Sequence, residues 1–385
     1  MGTPFKLLIV YARYGDGHLQ AAAALTDSFS RLGIAEAKPV DLLARAHPLL
    51  NEVSKFVYRN SYRLFPRIYG WVYDTTKGMK ADSAFAHWLH SFGASELLKL
   101  IDREQPDAVV HTFPSLALPI IKNRVGRRIP MFNVITDFDL HMRWIHPQVD
   151  KYYVATDDLR VQLTGMGVGL HRIAATGIPL RTTFSQKPDE YERGQIARRY
   201  AIASDKPIVL LMAGTYSNVA HMCKLCVRLA GNEQIHTVVV SGRNRSAQAQ
   251  LERQFASRSN VSVLGYVERI DELMRLAACI VTKPGGLTIS EAIEAGLPIL
   301  LYRPVPGQER QNAIYLQHKG AALIAWSTDE LYLAIDRVLN DPGQRTAMRA
   351  ALESLRKQSA ADRISLDIVH QLHIMEEASV PLIRS

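Results

Sequence analysis

The sequence predicts an α/β protein made of two similar units in series, and three observations carry that expectation. The chain opens as strand, glycine turn and helix: residues 6–11 read as a buried first strand, Arg13-Tyr14-Gly15-Asp16-Gly17-His18 is the turn, and residues 19–32 form a helical stretch closed by Gly33. The same order restarts at Pro207, where an apolar run ends at Gly214 and continues into Thr215-Tyr216-Ser217. A length of 385 residues suits about two domains.

Element by element, the first turn is not a dinucleotide fingerprint, because it holds only two glycines, Gly15 and Gly17. Its telling residue is His18. An imidazole held by a glycine turn at the end of a strand is well placed for a general base, and equally serves as a capping or packing side chain. Residues 45–80 then break the alternation. Seven bases (Arg45, Lys55, Arg59, Arg63, Arg67, Lys77, Lys80) stand against two acids, interleaved with Phe56, Tyr58, Tyr62, Phe65, Tyr69, Trp71 and Tyr73. That composition fits a membrane-surface element, and it fits a helix whose aromatics face a core. Strands are predicted at 107–111, 131–135, 152–155 and 173–176. After the second of these comes Thr136-Asp137-Phe138-Asp139, with His141, Trp144 and His146 close behind as a polar wall. Residues 183–206 are polar and read as the connection between the units.

The second unit is predicted to carry strands at 208–213, 237–240, 261–264, 278–282 and 298–301. Its most informative stretch is Lys283-Pro284-Gly285-Gly286-Leu287-Thr288-Ile289-Ser290-Glu291. A strand enters it, the glycines interrupt, and a helix is expected from about Thr288 with Glu291 in its first turn. Bare backbone N–H groups at a helix start suit a diphosphate. The two oxygens of Glu291 match two vicinal ribose hydroxyls. After the next strand, Pro306-Gly307 opens a further helix with Gln308, Glu309 and Asn312; Glu309 and Asn312 share a face and suit a hexose. One Gly-Gly turn is ordinary in an α/β protein. Two polar helix starts after successive strands point to a nucleotide-sugar site. Residues 361–374 form an amphipathic helix with Ile364, Ile368 and Leu372 on one stripe.

Composition narrows the class. There is no apolar run long enough for a transmembrane helix and no signal-peptide layout at the start. Cys223, Cys226 and Cys279 give no disulfide framework, and Cys223-x-x-Cys226 has no second ligand pair, so packing is expected rather than zinc. The net charge of +9 suits an anionic surface or substrate. No nucleic-acid-binding motif is present, so nucleic acid is not expected as a partner.

Taken together, Tyr14-Gly15-Asp16-Gly17-His18, residues 133–137, Thr176-Gly177-Ile178-Pro179, Leu264-Gly265-Tyr266-Val267, Lys283-Pro284-Gly285-Gly286 with Glu291, and Pro306-Gly307-Gln308-Glu309 with Asn312 resemble the diacylglycerol glycosyltransferases. The resemblance runs from about residue 5 to residue 325. It implies a GT-B fold, two Rossmann-like α/β domains facing an interdomain cleft. Residues 1–180 would bind the lipid acceptor, residues 181–360 the UDP-sugar, and the last helix (361–385) would pack back on the first domain. It further implies that Gly214, Thr215, Ser217, Gly285 and Gly286 bind the diphosphate, Glu291 the ribose, the Tyr266 and Val267 backbone the uracil, and Gln308, Glu309 and Asn312 the hexose. Ser217 departs from the family, which tends to have a second glycine there. The expected reaction is an inverting transfer of glucose or galactose to diacylglycerol, with His18 as base and Asp137 as runner-up. The UDP-sugar is a substrate, and no cofactor or metal is expected; the Asp137-x-Asp139 triplet is the competing metal site. Arg59, Arg63, Arg67, Tyr69 and Trp71 would meet the acceptor and an anionic membrane surface, making a peripheral, monotopic enzyme on the cytoplasmic face. A UDP-sugar epimerase and a silent UDP-sugar sensor are the rival readings.

Overall fold

The computed structural model describes residues 4–13, 16–49, 52, 70–71, 73, 75–76, 91–114, 117–185, 189–202, 205–213 and 219–379. The chain divides into two compact units, one of Met1–Thr182 with Lys357–Ser385 and the other of Thr183–Arg356.

The first unit holds β1 (Phe5–Tyr11), β2 (Ala35–Asp41), β3 (Ala108–His111), β4 (Met131–Val134), β5 (Lys151–Val154) and β6 (Ile173–Ala175). All pair parallel in the order β2-β1-β3-β4-β5-β6. Parallel strands covered on both faces need unbroken apolar runs. Leu7, Leu8, Ile9 and Val10 are such a run and are all buried. The edge strand β2 was not foreseen, because Ala35-Glu36-Ala37-Lys38-Pro39-Val40-Asp41 shows neither an apolar run nor alternation. An edge tolerates Pro39, whose missing N–H leaves no ladder bond unmade on the open side.

The first helix, Asp16–Leu32, starts earlier than the sequence suggested and ends at Gly33 with φ +65°. The last helix, Ala360–Ser379, is longer than residues 361–374. Ile364, Ile368 and Leu372 join one core with Phe5, Leu7, Ile9, Leu25 and Phe29. Polar bonds fix its flanks. Asp362 accepts from Ser28 at 2.6 Å, and Asp367 accepts from Lys151 at 2.9 Å and from the buried Tyr153 hydroxyl at 2.7 Å.

The second unit holds β7 (Ile208–Met212), β8 (His236–Val240), β9 (Val261–Leu264), β10 (Cys279–Thr282), β11 (Ile299–Tyr302) and β12 (Ala322–Ala325), parallel in the order β12-β11-β10-β7-β8-β9. Cys223 and Cys226, on the helix Val219–Ala230, and Cys279 on β10 are free thiols packed in its core. Burial pushes Cys226 and Cys279 up to about 12. The stretch expected to be a polar connection instead carries the helix Glu190–Arg199, opened by a capping box between Asp189 and Glu192. Arg199 donates to both oxygens of Glu272 at 2.7 and 2.8 Å, and Arg193 donates to the Arg275 carbonyl at 2.6 Å, so this helix belongs to the second unit.

Candidate active site

In a parallel α/β sheet, ligands collect at the C-terminal strand ends where the strand order reverses. In the first sheet that point lies between β1 and β3. His18 stands in the first turn of the helix that follows β1. Its Nδ1 lies 2.6 Å from the Thr112 carbonyl beyond β3 and 3.0 Å from Thr136 Oγ1 beyond β4. A carbonyl only accepts, so Nδ1 carries the proton and Nε2 keeps its lone pair. The Thr112 hydroxyl donates back to the His18 carbonyl at 3.1 Å, and Phe113 meets the ring edge-on at 5.0 Å. Burial drives the imidazole down to about 4, against the carbonyl bond that raises it. Three strand ends therefore hold a neutral imidazole in the tautomer that a base requires.

Asp137 follows Thr136 and is buried. The next acid, Asp139, accepts from the Tyr73 hydroxyl at 3.0 Å. His141 Nδ1 accepts from the Arg143 N–H at 3.2 Å, while its Nε2 lies 3.3 Å from the Thr76 hydroxyl. Trp144 corrects the expectation of a polar wall: it is core, and its carbonyl takes the Asn133 amide at 2.8 Å. His141 is buried as well. Trp71 is helical and exposed, whereas Arg59, Arg63, Arg67 and Tyr69 lie outside the described residues.

In the second sheet the order reverses between β7 and β10. Gly214, Thr215 and Ser217, after β7, lie outside the described residues. After β10 the turn uses up its own carbonyls. That of Lys283 accepts from Thr282 Oγ1 at 3.2 Å and from the Gly285 N–H at 2.9 Å; that of Pro284 accepts from Asn312 Nδ2 at 3.0 Å. Gly285 is the N-cap of the helix Gly286–Glu294, whose first bond runs from the Ile289 N–H to the Gly285 carbonyl at 3.0 Å. The N–H groups of Gly286, Leu287 and Thr288 thus have no carbonyl within the helix to meet. An edge that offers donors and hides acceptors suits an anion.

This helix begins before Thr288, so the buried Glu291 lies in its second turn and not its first. The glycine pair does not break the chain here; it supplies the cap and the first helical residue. A methyl added at Gly285 would meet nothing within 4 Å, so the fold itself does not demand glycine there. Burial lowers the neighbouring Lys283 to about 8.

After β11, Gly307 takes φ +95° and caps the helix Gln308–His318. Glu309 Oε2 accepts from the Val305 N–H at 3.4 Å, and burial pushes its carboxyl up to about 8, which keeps it protonated at neutral pH. Asn312 is fully buried, so it stands behind the loop and holds Pro284 where an open hexose contact was expected. After β9, Tyr266 is half exposed beneath the Arg243 guanidinium, 4.5 Å from its ring centroid, with Val267 beside it. Sequence reasoning missed Thr112, Thr136 and the bracing role of Asn312. These are non-local contacts, and the only signal was a polar residue closing an apolar strand.

Comparison with known proteins places this geometry. The family described as Monogalactosyldiacylglycerol (MGDG) synthase matches residues 18–180, and that described as Glycosyl transferases group 1 matches residues 192–354. A Bacillus thuringiensis (strain Al Hakam) protein named processive diacylglycerol beta-glucosyltransferase is 36% identical over 380 residues, covering 98% of this chain and 96% of its own. A Bacillus cereus (strain AH187) protein of the same name is 36% identical over 378 residues, with the same coverage. Among solved structures, a Staphylococcus aureus MnaA–UDP complex aligns with a TM-score of 0.65 at 16% identity, over 96% of this chain and 97% of its own. Anabaena Alr3699/HepE in complex with UDP and glucose aligns with a TM-score of 0.52 at 13% identity, over 98% of this chain and all of its own (100%). These likenesses give the fold, GT-B with two Rossmann-like α/β domains. At 36% identity across almost its whole length, the chain belongs to the diacylglycerol glycosyltransferase family.

Proposed function

We propose that this chain is an inverting glycosyltransferase that moves glucose or galactose from a UDP-sugar to the hydroxyl of diacylglycerol, forming a β-glycosyl-diacylglycerol. Kinship over 98% of the chain with proteins named processive diacylglycerol beta-glucosyltransferase carries the reading. The first unit binds the acceptor. Its hydroxyl gives its proton to His18 Nε2 as the oxygen attacks the anomeric carbon; Asp137 is the second candidate base. The new C–O bond forms while the bond to the phosphate oxygen breaks, and UDP leaves with the electron pair.

The second unit binds the donor. The N–H groups at Gly286, Leu287 and Thr288, with Gly214, Thr215 and Ser217, take the diphosphate and stabilise the charge it gains. Glu291 takes the ribose, Tyr266 and Val267 the uracil, and Gln308 and Glu309 the hexose. Asn312 acts one step back, through Pro284. Since helix termini supply the stabilisation, no metal is required. The basic, aromatic composition of residues 45–80 and the exposed Trp71 support a peripheral enzyme on an anionic cytoplasmic membrane face. No helix among the described residues is long and apolar enough to cross a membrane.

Product analysis tests the reading. The chain is incubated with diacylglycerol in anionic vesicles and either UDP-glucose or UDP-galactose, with and without EDTA. The expected products are a β-glycolipid and UDP, undiminished by chelation. A rearranged UDP-sugar with no lipid product identifies an epimerase, and binding without turnover identifies a sensor; either outcome overturns the reading. Loss of turnover in EDTA with recovery in Mg²⁺ overturns the metal-free account and moves charge neutralisation to a cation at Asp137 and Asp139.

A further inference from the structure

Arg303 follows the last residue of β11 and takes φ +49°, a left-handed conformation that non-glycine residues seldom adopt. Strain of this kind persists only where the surroundings enforce it, and it gathers at functional sites. Here the enforcement is plain. The Arg303 N–H donates to the Ala325 carbonyl at 2.9 Å and its Nε donates to the Trp326 carbonyl at 2.8 Å. Its Nη1 lies 2.8 Å from Nδ1 of His221, and its guanidinium carbon lies 5.6 Å from the Tyr302 ring centroid. His221 is held neutral, first by burial and then by the charge of Arg303, so it accepts from the guanidinium without repelling it. Every one of these partners is uncharged. Among the described residues no carboxylate pairs with Arg303, although the guanidinium is exposed and held in one place.

Its position adds meaning. β10 lies between β11 and β7 in the sheet. Arg303 stands at the C-terminal end of β11, and His221 stands in the first turn of the helix that follows β7. Their contact joins the ends of the two strands that flank β10, on the edge where β10 carries the Gly285–Gly286 turn. A cation braced by neutral groups, on the same sheet edge as the N–H groups of that helix start, suits an anion that can meet both.

We infer that Arg303 is a donor-site residue that contacts the diphosphate of the UDP-sugar, with His221 and the Trp326 carbonyl as its positioning partners. The inference rests on the nucleotide-sugar reading of the second unit and goes beyond it by naming the side chain that meets the charge. As the anomeric bond breaks, the electron pair moves onto the departing phosphate oxygen. A fixed guanidinium is worth more to that developing dianion than to the intact donor.

The test compares Arg303→Asn and Arg303→Lys with the wild-type chain. Asn tolerates the left-handed backbone, so this variant removes the charge without adding strain. Calorimetric titration is run with UDP and, separately, with uridine, which has the base and ribose but no phosphate. The expected result for Arg303→Asn is a loss on the order of 10- to 100-fold for UDP and none for uridine, with Arg303→Lys between Asn and wild type for UDP. An unchanged UDP affinity, or equal losses for UDP and uridine, overturns the assignment. A wild-type chain that binds neither ligand overturns the nucleotide-sugar reading itself, before any variant is compared.

Discussion

At the scale of the residue, the two titratable groups that stand out have moved in opposite senses for one reason. His18 is held near 4 and Glu309 near 8, because burial disfavours the charged form of each. His18 is therefore neutral at pH 7, and the Thr112 carbonyl fixes which of its nitrogens can accept. His18→Ala should lower turnover by roughly 10²–10⁴-fold while leaving UDP binding intact, as a calorimetric and rate comparison will show. The same shift sets a stability window. The unfolded imidazole binds a proton near 6.5, so the advantage of the neutral folded form is complete above that pH and is lost as pH falls through about 4. The melting temperature of His18→Gln should accordingly fall less between pH 7 and pH 4 than that of wild type. Glu309 has the opposite sign: its contribution holds below the ordinary carboxyl range and fades as pH rises through about 8. Glu309→Gln should keep wild-type donor affinity at pH 7, and unlike wild type it should hold that affinity at pH 9 in the same titration. Both residues were legible in the sequence. Their protonation states were not, because burial is a property of the assembled strand ends.

At the scale of the element, the turn after β10 is the part of the second unit best suited to an anion. Its carbonyls are turned inward and pinned, by Thr282 and Gly285 at Lys283 and by Asn312 at Pro284, so it presents donors only. A helix start was visible in Pro284-Gly285-Gly286; its register was misread because a glycine pair serves equally as a break and as a cap. Gly285 has φ −73° and open space at its missing methyl, so Gly285→Ala should leave the melting temperature unchanged or slightly higher. If the diphosphate lies against that backbone, the same variant should lose UDP affinity by about tenfold or more. A variant equal to wild type in both measurements removes Gly285 from the site.

At the scale of the whole molecule, strand content was largely readable and strand order was not. The strands at residues 6–11 and 208–213 announced themselves, because strands buried on both faces need apolar runs. β2, with Pro39 and three charged residues (Glu36, Lys38 and Asp41), did not, and neither did β12. The helix Glu190–Arg199 was hidden by its polarity, although Asp189 and Glu192 spelled its capping box. The stripe of Ile364, Ile368 and Leu372 was legible; the surface it covers, Phe5, Leu7, Ile9, Leu25 and Phe29, was not, since even the nearest pair, Phe29 and Ile364, lies 335 positions apart in sequence (364 − 29). Ile368→Ala should cost about 2–5 kcal/mol of the first unit's stability, read as a lower denaturant midpoint. A shift below about 1 kcal/mol would mean that this helix is not part of the core.

That last helix has a consequence for how the protein is born. The first unit is assembled from both ends of the sequence, with the whole second unit inserted between Thr182 and Lys357. A ribosome translates about 5–20 residues per second, so the apolar groove over β1 and the first helix waits on the order of 10–40 s for Ile364, Ile368 and Leu372 to emerge. During that interval Phe5, Leu7, Ile9, Leu25 and Phe29 lack the apolar cover that this helix supplies in the finished fold. Truncated products that stop before residue 360 would leave that surface permanently open to chaperones and proteases. Quality control would thus read the helix Ala360–Ser379 as the sign that the first unit has closed.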